Sequence, residues 1–456
     1  MNFIDRTEEK TRLNRLFDAR TGSLACLYGR RRCGKTRLLR ECTKGRANVF
    51  YHLADKADRS AQISRFVREV SLSLPAFRAA DGGDWGAVLD LWMNLAPCGS
   101  ILVLDEFPYL VQRDHALPSV LQRICDTLPE SGKKIVICGS SQRMMQGFVL
   151  KQSEPLYGRA KEILPVNPIP FGWMKTVFQE WTPFERLKGW GVWGGVPRYW
   201  ELQLDDVNLW SAVRRHVTSP LGVLHNEPQF LLLDDFGDVA PAATVLSFIG
   251  DGVHRAGELA SRMRRPVTDM ARPLNRLVEL GLITKETPFG DGVRGKKSLY
   301  RISDPFLDFW YTFVGVNWSR HDFLETNEER KAFDGHYLPY LGVVWERLVR
   351  ETLAAKELPG LQGRWRKVAR WWGNGGVNRR PLEVDVVAES ADGQTLLVGE
   401  AKLSLSKVTV QHEMAELQVK AGLLPFADRY KRIVTRLFVA HDAPEGAVSI
   451  DWCEVC

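Results

Sequence analysis

Gly29, Gly34, Lys35 and Thr36 stand in one short stretch, Gly29-x-x-x-x-Gly34-Lys35-Thr36. Arg30, Arg31, Arg32 and Cys33 lie between the glycines and Arg37 follows directly. These residue types at this spacing can hold a polyphosphate. Glycine reaches backbone angles that let successive N–H groups converge on phosphate oxygens. A helix that starts here points its positive end at the same place. Lys35 reaches the outer phosphates and the Thr36 hydroxyl can ligate magnesium. The expected cofactors are therefore ATP and Mg2+, bound by residues 29–37.

A second set of groups fits the same site. Asp105 and Glu106 end the apolar run Ile101-Leu-Val-Leu. A carboxylate at the carboxyl end of a buried strand sits where ligands bind in open α/β sheets. Asp105 can complete a magnesium shell, and Glu106 can polarise a water for attack on the terminal phosphate. Ser140 or Ser141, after the run Lys134-Ile-Val-Ile-Cys-Gly, can orient that water, although Gly-Ser-Ser also makes an ordinary turn. Arg159 is a candidate contact for the terminal phosphate, in its own subunit or a neighbour's, and Arg198 is a candidate second sensor.

The C-terminal third holds a different constellation, Asp385-x14-Glu400-x-Lys402. Side chains alternate along a strand, so Glu400 and Lys402 share a face. Asp385 is expected beside Glu400 across a hairpin, with Glu346 supplied by a nearby helix. Two acids with a lysine suit a magnesium ion bound by Asp385 and Glu400, with Lys402 positioning or deprotonating a water. Exposed strand charges in cross-strand pairs are the plainer alternative.

These residues need elements to place them. Leu24 to Tyr28 reads as a buried strand and Leu38, Leu39 and Cys42 recur at helical spacing, so the loop stands between strand and helix as the motif requires. Further short apolar runs at 48–53, 101–105, 134–139 and 160–166 alternate with helical patterns such as 60–73, which implies a parallel sheet covered on both faces. Residues 168–235 are rich in Trp and Pro and read as a helical lid, with the Trp residues as core. Three amphipathic segments and a hairpin over 236–315 read as a winged helix-turn-helix. Arg272 and Arg276 lie on its third helix, Arg262, Arg264 and Arg265 lead into it, and Arg294, Lys296 and Lys297 lie on the wing. Basic charge on those two elements suits DNA, and a winged helix that only mediates contacts between domains is the plainer alternative. From Gly363 to Arg380 there are six basic residues and no acid, interleaved with Trp365, Trp371 and Trp372, a pattern that suits either nucleic acid or a Trp-lined core strand.

Composition bounds the rest. The chain has 456 residues, 45% hydrophobic and 26% charged, as expected for two to four globular domains. Its formal net charge of +7 is modest for this length and by itself decides nothing. No apolar run approaches the roughly 18 residues of a membrane span, and the first ten residues lack an apolar signal core. The eight cysteines include Cys33 inside the glycine loop, which suits a reducing compartment. A cytoplasmic location is expected. Cys453 and Cys456 form a lone CxxC, a weak zinc signal without a second pair.

The order of motifs resembles the archaeal-type AAA-like ATPases of prokaryotes, a family within the additional-strand class of P-loop NTPases. The resemblance rests on Gly-Arg-Arg-Arg-Cys-Gly-Lys-Thr, Leu-Val-Leu-Asp-Glu-Phe, Cys-Gly-Ser-Ser, Pro-Leu-Tyr-Gly-Arg-Ala, Gly-Gly-Val-Pro-Arg-Tyr and Ile-Ser-Asp-Pro-Phe-Leu-Asp-Phe-Trp, which together span nearly the full chain. It implies a sheet order of 5-1-4-3-2 and strengthens Arg159 as a trans-acting or sensor arginine, hence a homo-oligomer. It also implies a C-terminal PD-(D/E)xK nuclease-like domain in which Asp385, Glu400 and Lys402 match the motif and Glu346 is the helix acid. Val384 stands where the motif has Pro. The expected fold is α/β: a P-loop ATPase domain at 1–167, a helical lid at 168–235, a winged helix-turn-helix at 236–318 and a restriction-endonuclease-like domain at 319–456. The expected function is ATP hydrolysis coupled to DNA binding and Mg-dependent DNA cleavage. The alternatives are a nucleotide-dependent switch whose nuclease-like domain only docks DNA or a partner, and a transcription regulator that uses the winged helix.

Overall fold

The computed structural model describes residues 1–80, 83–236, 238–291, 297–317, 326–358, 361, 363–376, 380–441 and 448–449. Arg294 and Lys296 of the wing, Arg379, and the Cys453/Cys456 pair lie outside the described residues.

The N-terminal sheet is built from β1 (Ser23–Tyr28), β2 (Val49–Leu53), β3 (Ile101–Asp105), β4 (Lys134–Gly139) and β5 (Ala160–Pro165), all parallel, in the order β2-β3-β4-β1-β5. This is the expected order read from the other edge. Ala25 and Leu27 of β1 join the core on one face, while Leu24 and Cys26 join the core on the other. A strand buried on both faces needs the uninterrupted apolar run that the sequence shows. Parallel order also puts every strand's carboxyl end, and hence Gly29, Asp105 and Ser140, along one rim.

The lid packs its tryptophans inward: Trp193 and Trp200 are fully buried, and the Trp193 indole donates to Gln203 Oε1 at 3.0 Å. Helices Ala240–Gly250, Ala256–Arg262 and Val267–Glu279 precede the two-stranded wing of β6 (Ile283–Glu286) and β7 (Leu299–Ile302).

The C-terminal sheet comprises β8 (Trp365–Gly375), β9 (Arg380–Ser390), β10 (Thr395–Lys402), β11 (Arg432–Val439) and β12 (Val448–Ser449), in the order β12-β11-β10-β9-β8. The long helix Asn327–Ala355 covers one face, where Trp345 and Leu348 meet Val386, Leu397 and Phe438. The helix Lys407–Gly422 covers the other, where Leu417 and Ala421 meet Val384, Val398 and Leu437.

The base of the wing and β8, both basic in sequence, meet each other. Phe289, which follows β6, is buried against Phe426 with ring centroids 5.2 Å apart, and its N–H donates to Arg370 O of β8 at 2.9 Å. Lys297 lies beside Gly373 of β8. Trp365 and Trp371 are buried, so the stretch after Gly363 is largely a Trp-lined strand, and Arg366 and Lys367 pair with Glu389. Aromatic residues settle into the sheet core because each removes a large apolar area from water.

Candidate functional site

The glycine loop has the required backbone. Gly34, at φ 92°, starts the helix Lys35–Thr43. At Gly29 a Cβ would stand 2.3 Å from Val166 O, so only glycine fits. Lys35 is buried and folds back, its Nζ donating to Gly29 O at 2.8 Å and Arg30 O at 3.2 Å. An ammonium is a point donor that can exchange these carbonyls for phosphate oxygens without moving the helix.

Asp105 is almost fully buried and collects three donors. Oδ2 accepts from Thr36 Oγ1 at 2.7 Å and from the Tyr51 hydroxyl, and Oδ1 accepts from the Glu106 N–H at 3.0 Å. Burial, with Asp105 beside it, pushes the Tyr51 phenol upward, so it stays a neutral donor. Glu106 itself sits at φ 53°, a left-handed conformation that costs a non-glycine residue about 1 kcal/mol or more. Its Oε2 accepts from both the N–H and the hydroxyl of Ser140, each at 3.1 Å. The structure thus brings Lys35, Thr36, Asp105, Glu106 and Ser140 to one place. Thr36 and Asp105 fit a magnesium ion, because a hydroxyl and a carboxylate already share one point there.

The loop's arginines pair with acids of later segments, Arg30 largely buried and Arg31 exposed. Arg30 pairs with Asp304 and donates to the Tyr199 hydroxyl at 3.0 Å, and Tyr199 donates on to Glu227 at 2.9 Å. Arg32 pairs with Glu227 at 3.0 Å and Arg31 with Asp234 at 3.9 Å. Arg37 donates to Met1 O and shares Glu201 with Arg198, each 3.2 Å from that carboxylate. Cys33 is buried, and among the described residues Cys26, Cys33, Cys42, Cys98, Cys125 and Cys138 are free thiols.

Arg159 is the clear displacement. It precedes β5, whose Ala160 aligns with Leu24 at the start of β1, and it pairs with Asp126 at 3.3 Å. The loop follows the other end of β1, about 15 Å away at 3.3 Å per residue. Contact with this subunit's own phosphates is out of reach. Arg276 is half-buried, donating to Asp235 O at 2.7 Å and stacking on Phe236. Arg262, Arg264, Arg265 and Arg272 are exposed.

The second constellation is made by an irregular strand. The regular β9–β10 ladder ends at Val386 opposite Gly399. On the other edge of β9, Val384 and Val387 face Trp371 and Ala369, so three steps on β9 match two on β8. That bulge lies at Asp385–Val386 and re-aims the acid, as bulges beside active sites do. The Asp385 side chain enters between the strands, where Oδ2 accepts from the Ala401 N–H at 3.0 Å. A compensating bulge on β8 includes Lys367 at φ 50°. The plain cross-strand pair expected from the sequence is thereby corrected: Asp385 meets the backbone of β10 next to Glu400.

Glu400 is buried, and burial together with Asp385 pushes it up to about 8. Lys420, from the helix Lys407–Gly422, donates to Glu400 Oε1 at 2.7 Å. Lys402 is 3.4 Å from Glu413 and 3.9 Å from Glu400. Glu346 approaches from the long helix on the opposite face; burial and then Asp385 push it up to about 7, and Arg350 lies 3.6 Å from it. Arg350 also donates to Asp385 O at 2.8 Å. Asp385 therefore stands between the two faces, with Glu400 on one side and Glu346 on the other. Among the described residues no three His, Cys, Asp or Glu side chains gather closely enough to cage a metal. Asp385 and Glu400 still fit a divalent ion that keeps several waters, since two crowded carboxylates gain most from a cation. Lys420, Tyr51 and Arg350 were not foreseen, because a lone Lys, Tyr or Arg on a helix or strand carries no spacing signal.

Residues 3–202 match an ATPase domain predominantly from Archaea, and residues 310–413 match a family of archaeal and bacterial proteins of unknown function. An uncharacterized protein of Methanocaldococcus jannaschii is 29% identical over 403 residues, which span 88% of this chain and 87% of that one. Among solved structures, a Walker-type ATPase of Pyrococcus abyssi is similar in fold with a TM-score of 0.52 at 20% identity, covering 68% of this chain and 96% of that one. No helix among the described residues is long and apolar enough to cross a membrane.

Proposed function

We propose, for this chain with its archaeal-type P-loop ATPase domain and nuclease-like C-terminal domain, an ATP-hydrolysing protein of the cytoplasm that binds DNA and cleaves it with a divalent cation. The observation that carries the cleavage reading is the bulge that turns Asp385 onto the Ala401 N–H beside buried Glu400, with Lys402 and Lys420 around the pair.

At the nucleotide site, Lys35 takes the outer phosphates and the loop N–H groups take the others. Thr36 and Asp105 would hold magnesium, which would supply charge neutralisation to the phosphates. Glu106, held by Ser140, polarises the attacking water. DNA lies along the exposed Arg262, Arg264, Arg265 and Arg272, whose guanidinium groups suit backbone phosphates. At the C-terminal site, Asp385 and Glu400 would hold a cation, which would supply Lewis-acid polarisation of a phosphate. Lys402, kept charged against burial by Glu400 and Glu413, positions the water. Arg159, on the rim away from its own loop, serves a neighbouring subunit's nucleotide in a homo-oligomer.

The test is cleavage of supercoiled plasmid and single-stranded DNA, with magnesium or manganese, with and without ATP. Wild type is expected to cut, Asp385→Ala to lose cutting while still hydrolysing ATP, and Lys35→Ala to lose hydrolysis. One observation favours a second reading. Lys420 already neutralises Glu400, and Lys402 leans toward Glu413, as in a carboxylate site that only docks DNA or a partner. ATP hydrolysis without cleavage in any sample would select that nucleotide-dependent switch.

A further inference from the structure

Lys35 now donates to the carbonyl of Arg30 at 3.2 Å. A phosphate in the loop would draw that ammonium away and re-pose the backbone carrying Arg30. The Arg30 side chain is not free to follow alone. It is buried against Asp304 and bridged through Tyr199 to Glu227. A buried ion pair resists separation, because parting it strands a desolvated charge. Movement of the loop is therefore passed to Asp304.

Asp304 is tied in turn. Its Oδ1 accepts from the Leu307 N–H at 2.8 Å and caps the short helix Pro305–Phe309. The two carbonyls ahead of it, of Ile302 and Ser303, both accept from Arg347 at 3.0 Å. Arg347 is the neighbour of Glu346 on the long helix, and Arg350, one turn on, holds Asp385 O. A cavity of about 560 Å³ opens between the loop and this helix, with Arg30, Asp304, Pro305 and Arg347 in its wall. Close packing would block relative motion there, and the cavity leaves room for it.

We infer that Arg30, Asp304 and Arg347 form a relay through which occupancy of the glycine loop sets the position of Glu346 and Arg350 against Asp385. The inference rests on the loop being an ATP site. Its two states are Lys35 on the loop carbonyls and Lys35 on phosphate, and each biases the same chain of contacts. Asp304 and Arg347 are positioning residues, acting through the long helix rather than on substrate.

The experiment is hydrogen exchange on the full chain, with and without a non-hydrolysable ATP analogue and magnesium, read on peptides from 30–43, 340–355 and 380–390. In wild type the analogue is expected to slow exchange in all three, by about 5- to 150-fold at the remote pair. Asp304→Asn keeps the helix cap but loses the charge that holds Arg30. Arg347→Gln cuts the next link. In both, protection at 30–43 is expected to persist and the remote change to vanish. Remote changes in both variants equal to wild type would overturn the relay, as would a wild type protected only at 30–43. A wild type with no protection at 30–43 would overturn the ATP-site reading and the relay with it.

Discussion

The two constellations are built in opposite ways. The nucleotide site is local at its centre: Gly29 to Thr36 is one turn of chain between a strand and a helix, and parallel strand order delivers Asp105 and Ser140 to the same rim. The carboxylate site is assembled from the long helix, the bulged β9, the regular β10 and a second helix, and its main acid owes its direction to one extra residue in β9. The first needs only a motif in its proper setting. The second needs packing on both faces of a sheet to agree within an ångström or so.

The sharpest break between the two would come from Lys35→Ala. ATP turnover is expected to fall about 100- to 1,000-fold, the usual cost of losing one donor to developing phosphate charge. Divalent-ion binding at the C-terminal end, measured by titration calorimetry in the absence of nucleotide, should stay as in wild type. An equal loss at both ends would mean that the sites are not separately built.

Lys420→Met tests the assembled site. It removes the cation nearest Glu400 while keeping the apolar stem. If cleavage depends on that support, activity should drop about 10- to 100-fold, as for groups that orient metal ligands. ATP turnover is the control and should not move. Unchanged cleavage would assign Lys420 to neutralising Glu400 and nothing more.

Tyr51→Phe makes a smaller change at the first site. One hydrogen bond to Asp105 is lost while Thr36 and the Glu106 N–H still hold it. Roughly 1 kcal/mol, or about a fivefold fall in turnover, is expected. A loss as large as that of Lys35→Ala would show that Asp105 depends on the tyrosine.

The smallest effect concerns the joint between the regions. Burial pushes Asp308 up to about 6, although Arg347 acts in the other direction. The folded protein then holds a proton that the unfolded chain releases near pH 4. Between about pH 4 and 6 this acid makes stability decline as pH rises, because the native state binds more protons. Asp308→Asn should lack that slope, so the Tm of the wild type relative to the variant should fall as pH rises across the window. A Tm difference constant across the window would refute it.

Much of the nucleotide end was legible in the sequence. The glycine loop, the paired Asp105 and Glu106 and the strand positions rest on short-range patterns, and the structure places them within a residue or two of expectation. Resemblance supplied the sheet order. The alternatives about surfaces were settled only by packing. Arg276 and Trp371 both suit a DNA-binding face by type, yet Arg276 also donates to Asp235 O and Trp371 is buried in β8, while Lys297 beside it stays exposed. Composition records a side chain's chemistry and not which neighbour reaches it first.

What the sequence determined alone is the chemistry available: a phosphate loop, two acids at a strand end, and an Asp, Glu and Lys at nuclease spacing. Those follow from backbone freedom, strand periodicity and charge, all of which act over a few residues. Tertiary structure alone decided which charges are already taken. It sent the loop's arginines to Asp304, Glu227 and Asp234, put Arg159 on the far rim, and split Glu346 and Glu400 across one sheet. The reason is physical: a buried charge must find a partner, and the partner is chosen by packing between segments far apart in the chain.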